Sequence, residues 1–319
     1  MNIEDIHIEK DPKIIFMGTP EFAVPVLQEL IKNYKIKAVV TQPDKKSGRN
    51  GEVKMSPIKK LALDNVLLVI QPENMKEEYN QVIDLEPDLI ITCAYGQILP
   101  KEIIEYPKLG VVNIHASLLP KLRGAAPIHR AIINGLEETG ITLMYSDENM
   151  DEGDIIVQEK IAIDKLDTAA TLHDKLSLLS SKMIIKYLPQ ILDGTAPRIK
   201  QNNDEATYAL TIKKEDERLD FRKTKKQVCN KVRGLNSWPG SYCVFEGKRL
   251  KVWECYYSEN FYPELLNGQI TEIHKDGIGV KVVNGEVVLT IIQPEGKRRM
   301  SAIEFVNGRQ ESIIGKILS

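Results

Sequence analysis

Cysteine is scarce in this chain. Its four residues, Cys93, Cys229, Cys243 and Cys255, fall at no CxxC spacing. That argues against both a disulfide framework and a cysteine zinc site and leaves small buried hydrophobes as the expected role. The five histidines are dispersed, without HExxH or a comparable cluster, so no catalytic metal is expected. No stretch reaches the roughly 18 consecutive apolar residues of a membrane-spanning helix. The opening MNIEDIHIEKDPK is charged and lacks the apolar run of a signal peptide. No membrane association and a cytoplasmic location are therefore expected. Internal repeats and low-complexity tracts are absent, and a net charge of only −2 argues against a protein held to nucleic acid by its overall charge.

What is present describes an ordinary globular protein with room for two domains: 319 residues, 42% hydrophobic and 28% charged. The N-terminal part alternates strand and helix signals. Ile14 to Met17 reads as a short apolar strand, after which Thr19 offers an N-cap, Pro20 a first helical position and Glu21 a first-turn acid for a helix reaching Asn33. Strands follow at 36–41, 66–70 and from Leu89, separated by helices at 57–64 and 76–85. The pattern predicts an α/β fold with a doubly wound, mostly parallel sheet. The first strand-to-helix loop holds a single Gly18 where a dinucleotide fold would show GxGxxG, which argues against a nicotinamide enzyme.

A helix from Asp174 to Leu192 is followed by a polar segment, and beyond Tyr208 the character changes. Lys225 to Arg233 reads as a helix, and from Ser241 short β-rich runs recur between turns at EGK, LNG, KDG and VNG, the spacing of a small β-barrel. The expected divisions are an extension at 1–12, an α/β domain at 13–193, a linker at 194–210 and the barrel domain at 211–319. Residues 211–319 carry 19 lysines and arginines against 14 acidic residues, whereas residues 1–210 carry 24 against 31. A basic second domain beside an acidic first one suits an RNA substrate, although five excess charges over a hundred residues are unremarkable alone.

The most informative stretch is NIHASLLPKLRGAAP, residues 113–127. The apolar run Leu109 to Ile114 reads as a buried strand, so Asn113 and His115 project from one face at its end. Open α/β sheets bind ligands beyond the carboxyl ends of their strands. An amide there donates to an oxygen that gains charge as a carbonyl is attacked, and an imidazole either donates to the same oxygen or shuttles a proton. Acyl transfer is the chemistry this pair suits. The group that would orient His115 is sought in SDENMDEGDII, where Asp147, Asp151 and Asp154 are all available. An acidic, glycine-containing turn between strands is also what a solvated loop looks like.

Together, NxHxSLLPxxRGAAP and the downstream DxGD resemble the formyltransferases that use 10-formyltetrahydrofolate. MGTPEFAVPVL at 17–27, TQPDKKSGR at 41–49, PDLIITCAYGQILP at 87–100 and VRGLNSWPG at 232–240 extend the likeness, in order, over about nine tenths of the chain from Lys13 onward. The resemblance implies a formyltransferase-type sheet followed by a barrel of the oligonucleotide-binding kind, and a catalytic trio of Asn113, His115 and Asp151. It implies folate contacts from Ser117, Leu118, Leu119 and Pro120, and from Cys93, Ala94, Tyr95 and Gly96. It also implies that the acceptor is the α-amine of methionine on initiator tRNA. Arg49 would then read the acceptor stem beside Lys45 and Lys46, and Phe22 would line the pocket for the methionine side chain. Read from composition alone, that loop is a solvated one, and Phe22, Leu118 and Leu119 are equally core residues. The formyl donor is a cosubstrate, and a monomer is expected. Two other functions share these features: formylation of a small amine, such as glycinamide ribonucleotide or an aminosugar nucleotide, and RNA binding without catalysis. The basic loop and the C-terminal hundred residues favour tRNA, and the intact trio favours catalysis.

Overall fold

The computed structural model describes residues 11–47 and 52–319. Strand β1 (Ile14–Gly18) is an internal strand of a seven-stranded sheet and is buried along its whole length. Its residues are near-continuously apolar because both faces are covered. The chain passes through α1 (Val24–Asn33) to β2 (Ile36–Val40), then through a two-stranded ribbon, β3 (Lys45–Ser47) and β4 (Glu52–Lys54). After α2 (Pro57–Asp64) comes β5 (Val69–Ile70), then α3 (Met75–Glu78) and α4 (Asn80–Ile83), and β6 (Leu89–Cys93), α5 (Lys101–Glu105) and β7 (Val111–His115) follow. Later come α6 (Pro127–Ile133), β8 (Glu138–Tyr145), β9 (Ile155–Ala162) and α7 (Ala169–Leu192). The sheet order is β5-β2-β1-β6-β7-β8-β9. Pairing is parallel from β5 to β7, and β8 runs antiparallel to β7. The order reverses between β1 and β6, which is where open α/β sheets place their ligands.

Several local expectations are corrected. Thr19 does not cap a helix, because its hydroxyl donates to the Tyr95 carbonyl at 2.8 Å. A 3-10 turn at Glu21–Ala23 precedes the α-helix, whose first turn carries Pro25 instead. The strand expected from Leu109 begins at Val111, because Gly110 takes a φ of 82°. The strand expected from Val66 shortens to Val69–Ile70. Val66 has a φ of 56° and is 94% exposed, ending α2 in a position that usually takes glycine. Its N–H bonds the Leu63 carbonyl and that of Leu67 bonds Ala62, so the cap forms without one.

Contacts divide the chain into two compact units. The first takes in the described residues up to Gly124 with Thr139–Ile161 and His173–Tyr208; the second takes in Ala125–Glu138, Ala162–Leu172 and Ala209–Ser319. In the second, α8 (Lys225–Gly234) starts at Thr224, whose side chain accepts from the Gln227 N–H while Gln227 accepts from the Thr224 N–H. A sheet follows, built from β10 (Ser241–Phe245), β11 (Lys248–Ser258), β12 (Ile270–Ile273), β13 (Ile278–Val282), β14 (Gly285–Pro294) and β15 (Met300–Ser301), with α9 (Ala302–Asn307) after it. Its order, β10-β11-β14-β13-β12, leaves two free edges. Residues 315–319 join them: Val244 and Ser319 exchange backbone bonds of 2.7 and 3.0 Å, Leu318 donates to Gly268, and Ile270 donates to Lys316. This closes the predicted barrel, with Phe221, Val228, Val252, Val280, Leu289 and Leu318 in its core. The NSWPG turn packs on the barrel, where a Cβ on Gly240 would lie 2.6 Å from the Trp253 ring. Among the described residues no helix is long and apolar enough to cross a membrane.

One carboxylate is wholly buried in the barrel. Glu286 accepts hydrogen bonds from Ser258 at 2.6 Å, from Thr271, and from His274 Nε2 at 3.1 Å. Burial alone would raise its pKa, but these donors outweigh it and hold the carboxyl below the ordinary glutamate value of 4.5. Glu272, His274 and Glu286 also place potential metal-ligand atoms within 4.8 Å of one another. The hydrogen bonds just named occupy the buried carboxylate.

Two predictions follow from the barrel. Deleting Lys316–Ser319 removes four edge hydrogen bonds. With the loss of buried Leu318, the expected cost is on the order of 5 kcal/mol, read as a fall in the urea midpoint. The Glu286 contribution should be complete above pH 4.5 and lost as pH falls through the depressed folded value. Glu286→Gln is therefore expected to lower the midpoint at neutral pH and to flatten the loss of stability below pH 4.5.

Candidate active site

The alternation along β7 does what the sequence leads one to expect. Val112 and Ile114 are buried on one side, while half-buried Asn113 and His115, 6% exposed, point to the other. Asp151, of the three aspartates in the loop between β8 and β9, is the one brought to them. Its Oδ1 lies 3.4 Å from Asn113 Nδ2 and 3.5 Å from His115 Nδ1, and its Oδ2 accepts the Gly124 N–H at 2.8 Å. Asp147 instead accepts the backbone N–H of Asn149, and Asp154 pairs with Lys200. His115 Nε2 lies 3.0 Å from the Leu122 carbonyl, which only accepts hydrogen bonds. Nε2 therefore carries a hydrogen and Nδ1 faces the carboxylate, as a lone pair in the neutral ring and as an N–H in the cation.

The loop that delivers Asp151 is constrained on three sides. Asp151 itself takes a left-handed φ of 55°, which aspartate tolerates better than most residues. A Cβ on Gly153 would lie 1.8 Å from the Tyr145 carbonyl oxygen, so the glycine of DEGD is a steric requirement. Gln201 Nε2 donates to the carbonyls of both Asp151 and Gly153 at 2.8 Å. Gln201 is held by Arg123, whose guanidinium bonds Gln201 Oε1, Asn203 Oδ1 at 2.7 Å and Glu152 Oε1 at 2.9 Å while only 1% exposed. On the other flank, the Thr92 hydroxyl donates to Asn113 Oδ1 at 2.8 Å. Sequence reasoning missed Thr92 and Gln201 and gave Arg123 no role, since no local pattern announces a contact 78 residues away.

The turn after β7 is tied to β8 and β9. Thr142 donates to the Ser117 carbonyl at 2.6 Å and accepts from the Leu119 N–H, and Gln158 donates to the Leu119 carbonyl. Ser117 is buried and its hydroxyl bonds the Lys121 carbonyl. Leu119 packs with Met144 and Ile155, whereas Leu118 and Pro120 are half-buried. Leu118 lies over Gly140, where a Cβ would come within 2.6 Å of its Cδ2. At the end of β6, Cys93 is fully buried, and burial pushes its thiol pKa well up. Tyr95 turns its ring into the core beside Ile15, Val40 and Ile90, while Ala94 and Gly96 on either side of it, with φ of 48° and 91°, are exposed.

Phe22 is 5% exposed, sits edge-on to His173 with centroids 5.3 Å apart, and its carbonyl accepts from Ser177. The basic loop forms the β3–β4 ribbon, with Lys45 directly opposite Lys54 and Lys46 opposite Val53. At its base Thr41 bonds Ser56, and Asp44 pairs with Lys59 at 2.6 Å. The hydrogen bonds from Lys59 and Gln71 hold the Asp44 carboxyl below its ordinary range. Arg49 lies outside the described residues, as do residues 1–10 of the expected extension.

Residues 12–188 match the family described as formyl transferase, and residues 211–310 match its C-terminal domain. The chain belongs to the formyl transferase family. Its relatives include the methionyl-tRNA formyltransferase of Bacillus licheniformis, 46% identical over 93% of this chain and 95% of the relative. That of Bacillus pumilus is 45% identical over 96% and 97%. Among solved structures, the sugar 3N-formyl transferase WlaRD, crystallised in the presence of dTDP and 5-N-formyl-THF, superposes with a TM-score of 0.67 at 22% identity. It covers 91% of this chain and all of its own, a likeness that speaks for the formyl transferase fold alone.

Gly153→Ala tests the loop constraint. It should displace Asp151, lower stability by roughly 2–4 kcal/mol and cut turnover at least about tenfold, read by urea unfolding and steady-state kinetics.

Proposed function

We propose that the chain transfers the formyl group of 10-formyltetrahydrofolate to the α-amino group of methionine on initiator tRNA, giving the formylmethionyl-tRNA that starts translation. The observation that carries this reading is the convergence of Asn113 and His115 on one oxygen of Asp151 at the end of β7. Identity of 46% to a methionyl-tRNA formyltransferase across both domains supports the choice of acceptor. The protein is read as a cytoplasmic monomer.

In this reading the amine lone pair forms the new C–N bond at the formyl carbon, and charge gathers on the formyl oxygen. Asn113 Nδ2 donates to that oxygen, an interaction strongest where the charge has developed. With Nε2 committed to Leu122, His115 works through Nδ1. There it takes the proton shed by the amine, and Asp151 stabilises the resulting imidazolium. Collapse breaks the bond to the folate nitrogen, which takes the proton from the His115 imidazolium as it leaves and so returns the ring to its neutral form. The folate lies against the 117–120 turn and the 93–96 loop, whose Ala94 and Gly96 expose backbone with little side chain, a surface that suits a flat ring. Phe22 borders the methionine side chain.

In this reading Lys45, Lys46 and Arg49 contact the acceptor stem; Lys45 pairs across the ribbon with Lys54, and like charges so opposed are unfavourable without an anion between them. In the second unit a cavity of about 1270 Å³ is lined by Arg218, Lys223 and Lys226, donors for RNA phosphates, together with Glu215, Arg222 paired to Asp220, and Lys231 bonded to the Arg218 carbonyl.

The test is formyl transfer to charged initiator methionyl-tRNA, elongator methionyl-tRNA, glycinamide ribonucleotide and an aminosugar nucleotide. Transfer confined to the initiator species is expected, and transfer only to a small amine would overturn the assignment of acceptor. Asn113→Ala should lower kcat by about a hundredfold or more with folding intact.

A further inference from the structure

Thr92 sits on β6 directly opposite Asn113 on β7, in the parallel register that pairs the two strands. It is 5% exposed, and its hydroxyl donates to Asn113 Oδ1 at 2.8 Å. We propose that Thr92 is a positioning residue for formyl transfer, holding the Asn113 amide so that Nδ2 faces the reacting oxygen. The proposal rests on the reading of Asn113 given above.

A carboxamide has two ends of nearly equal shape and opposite chemistry. Only the amino end stabilises an oxyanion; the carbonyl end would repel it. Two neighbours settle the orientation here, and they act differently. The Asp151 carboxylate rejects Oδ1 and so selects which end faces the site, but its contact to Nδ2 is 3.4 Å long. That contact loosens further once Nδ2 turns to a developing negative charge. The short bond to Thr92 lies on the opposite end of the amide and is undisturbed by substrate, so it fixes the plane of the amide through the reaction.

Threonine suits this task. Its branched Cβ restricts χ1, and its place between fully buried Ile91 and Cys93 on an internal strand leaves the hydroxyl little freedom to search for another acceptor. Valine has the same shape without the bond. Serine keeps the bond with a looser rotamer.

The full-length Thr92→Val, Thr92→Ser and Asn113→Ala variants and the Thr92→Val/Asn113→Ala double variant separate the possibilities by steady-state kinetics and thermal unfolding. Thr92→Val is expected to lower kcat about tenfold, with both KM values within about twofold and the melting midpoint unchanged. Thr92→Ser should restore most of the rate. The double variant should be no slower than Asn113→Ala alone, because Thr92 acts through the amide. Wild-type kcat in Thr92→Val, while Asn113→Ala is impaired, would overturn the role of Thr92 and leave that of Asn113 standing. Losses that multiply in the double variant, or equal losses in the valine and serine variants with a lowered midpoint, would also overturn it. Wild-type kcat in Asn113→Ala would remove the reading of Asn113 and this proposal with it.

Discussion

The candidate site hangs on a guanidinium that water does not reach. Arg123, 1% exposed, bonds Glu152 in the acidic loop and Gln201 and Asn203 in the segment after α7. Gln201 then turns its amino group to the carbonyls of Asp151 and Gly153. Three stretches far apart in sequence are thereby locked to one rigid fork. Isolated, such a buried charge would be strongly unfavourable; here it is paired with one carboxylate and bonded to two amide oxygens, which is the condition under which burial is tolerable. Removing any one partner would leave part of the buried guanidinium without satisfaction. The arrangement therefore defines a single loop position more sharply than apolar packing does.

That rigidity matters because the contacts it supports are long and weak. Distances of 3.4 and 3.5 Å from Asp151 to Asn113 and His115 are not strong hydrogen bonds, and they could not by themselves hold a surface loop against β7. The loop is instead held from behind, by Gln201, by the Gly124 N–H and by the close approach of Gly153 to Tyr145. In the proposed reaction, the open side of the trio, left under-bonded, is free to tighten around a substrate whose charge is changing. A site saturated with strong internal hydrogen bonds would have to break them first.

Legibility in the sequence followed the range of the interaction. The parallel strands, α2 and α8, and the shared face of Asn113 and His115 are local consequences of periodicity and capping, and all were readable. The β-rich turns announced a barrel. Its closure by residues 315–319 was not announced, because backbone bonds to Val244 and Gly268 leave no mark on side-chain pattern. Thr19 looked like a cap because its spacing to Pro20 and Glu21 is right, yet its hydroxyl is spent on Tyr95. Val66 looked like a strand because it is β-branched, and the two hydrogen bonds of the α2 cap override that preference. Arg123 was visible only as part of a resemblance. Nothing local distinguishes an arginine that will be buried from one that will be solvated.

With Asn113 in its proposed role, one strand end serves both ordering and reaction. β7 supplies the amide, and β6 and the acidic loop supply the groups on its two ends. The amide's carbonyl is engaged by a neutral donor and its amino group faces an anion. Interchanging these neighbours would leave every distance similar and reverse the polarity presented to a substrate. Chemical competence at this position therefore depends less on the presence of asparagine than on the unequal character of its two neighbours, a property of strand register as much as of the residue itself.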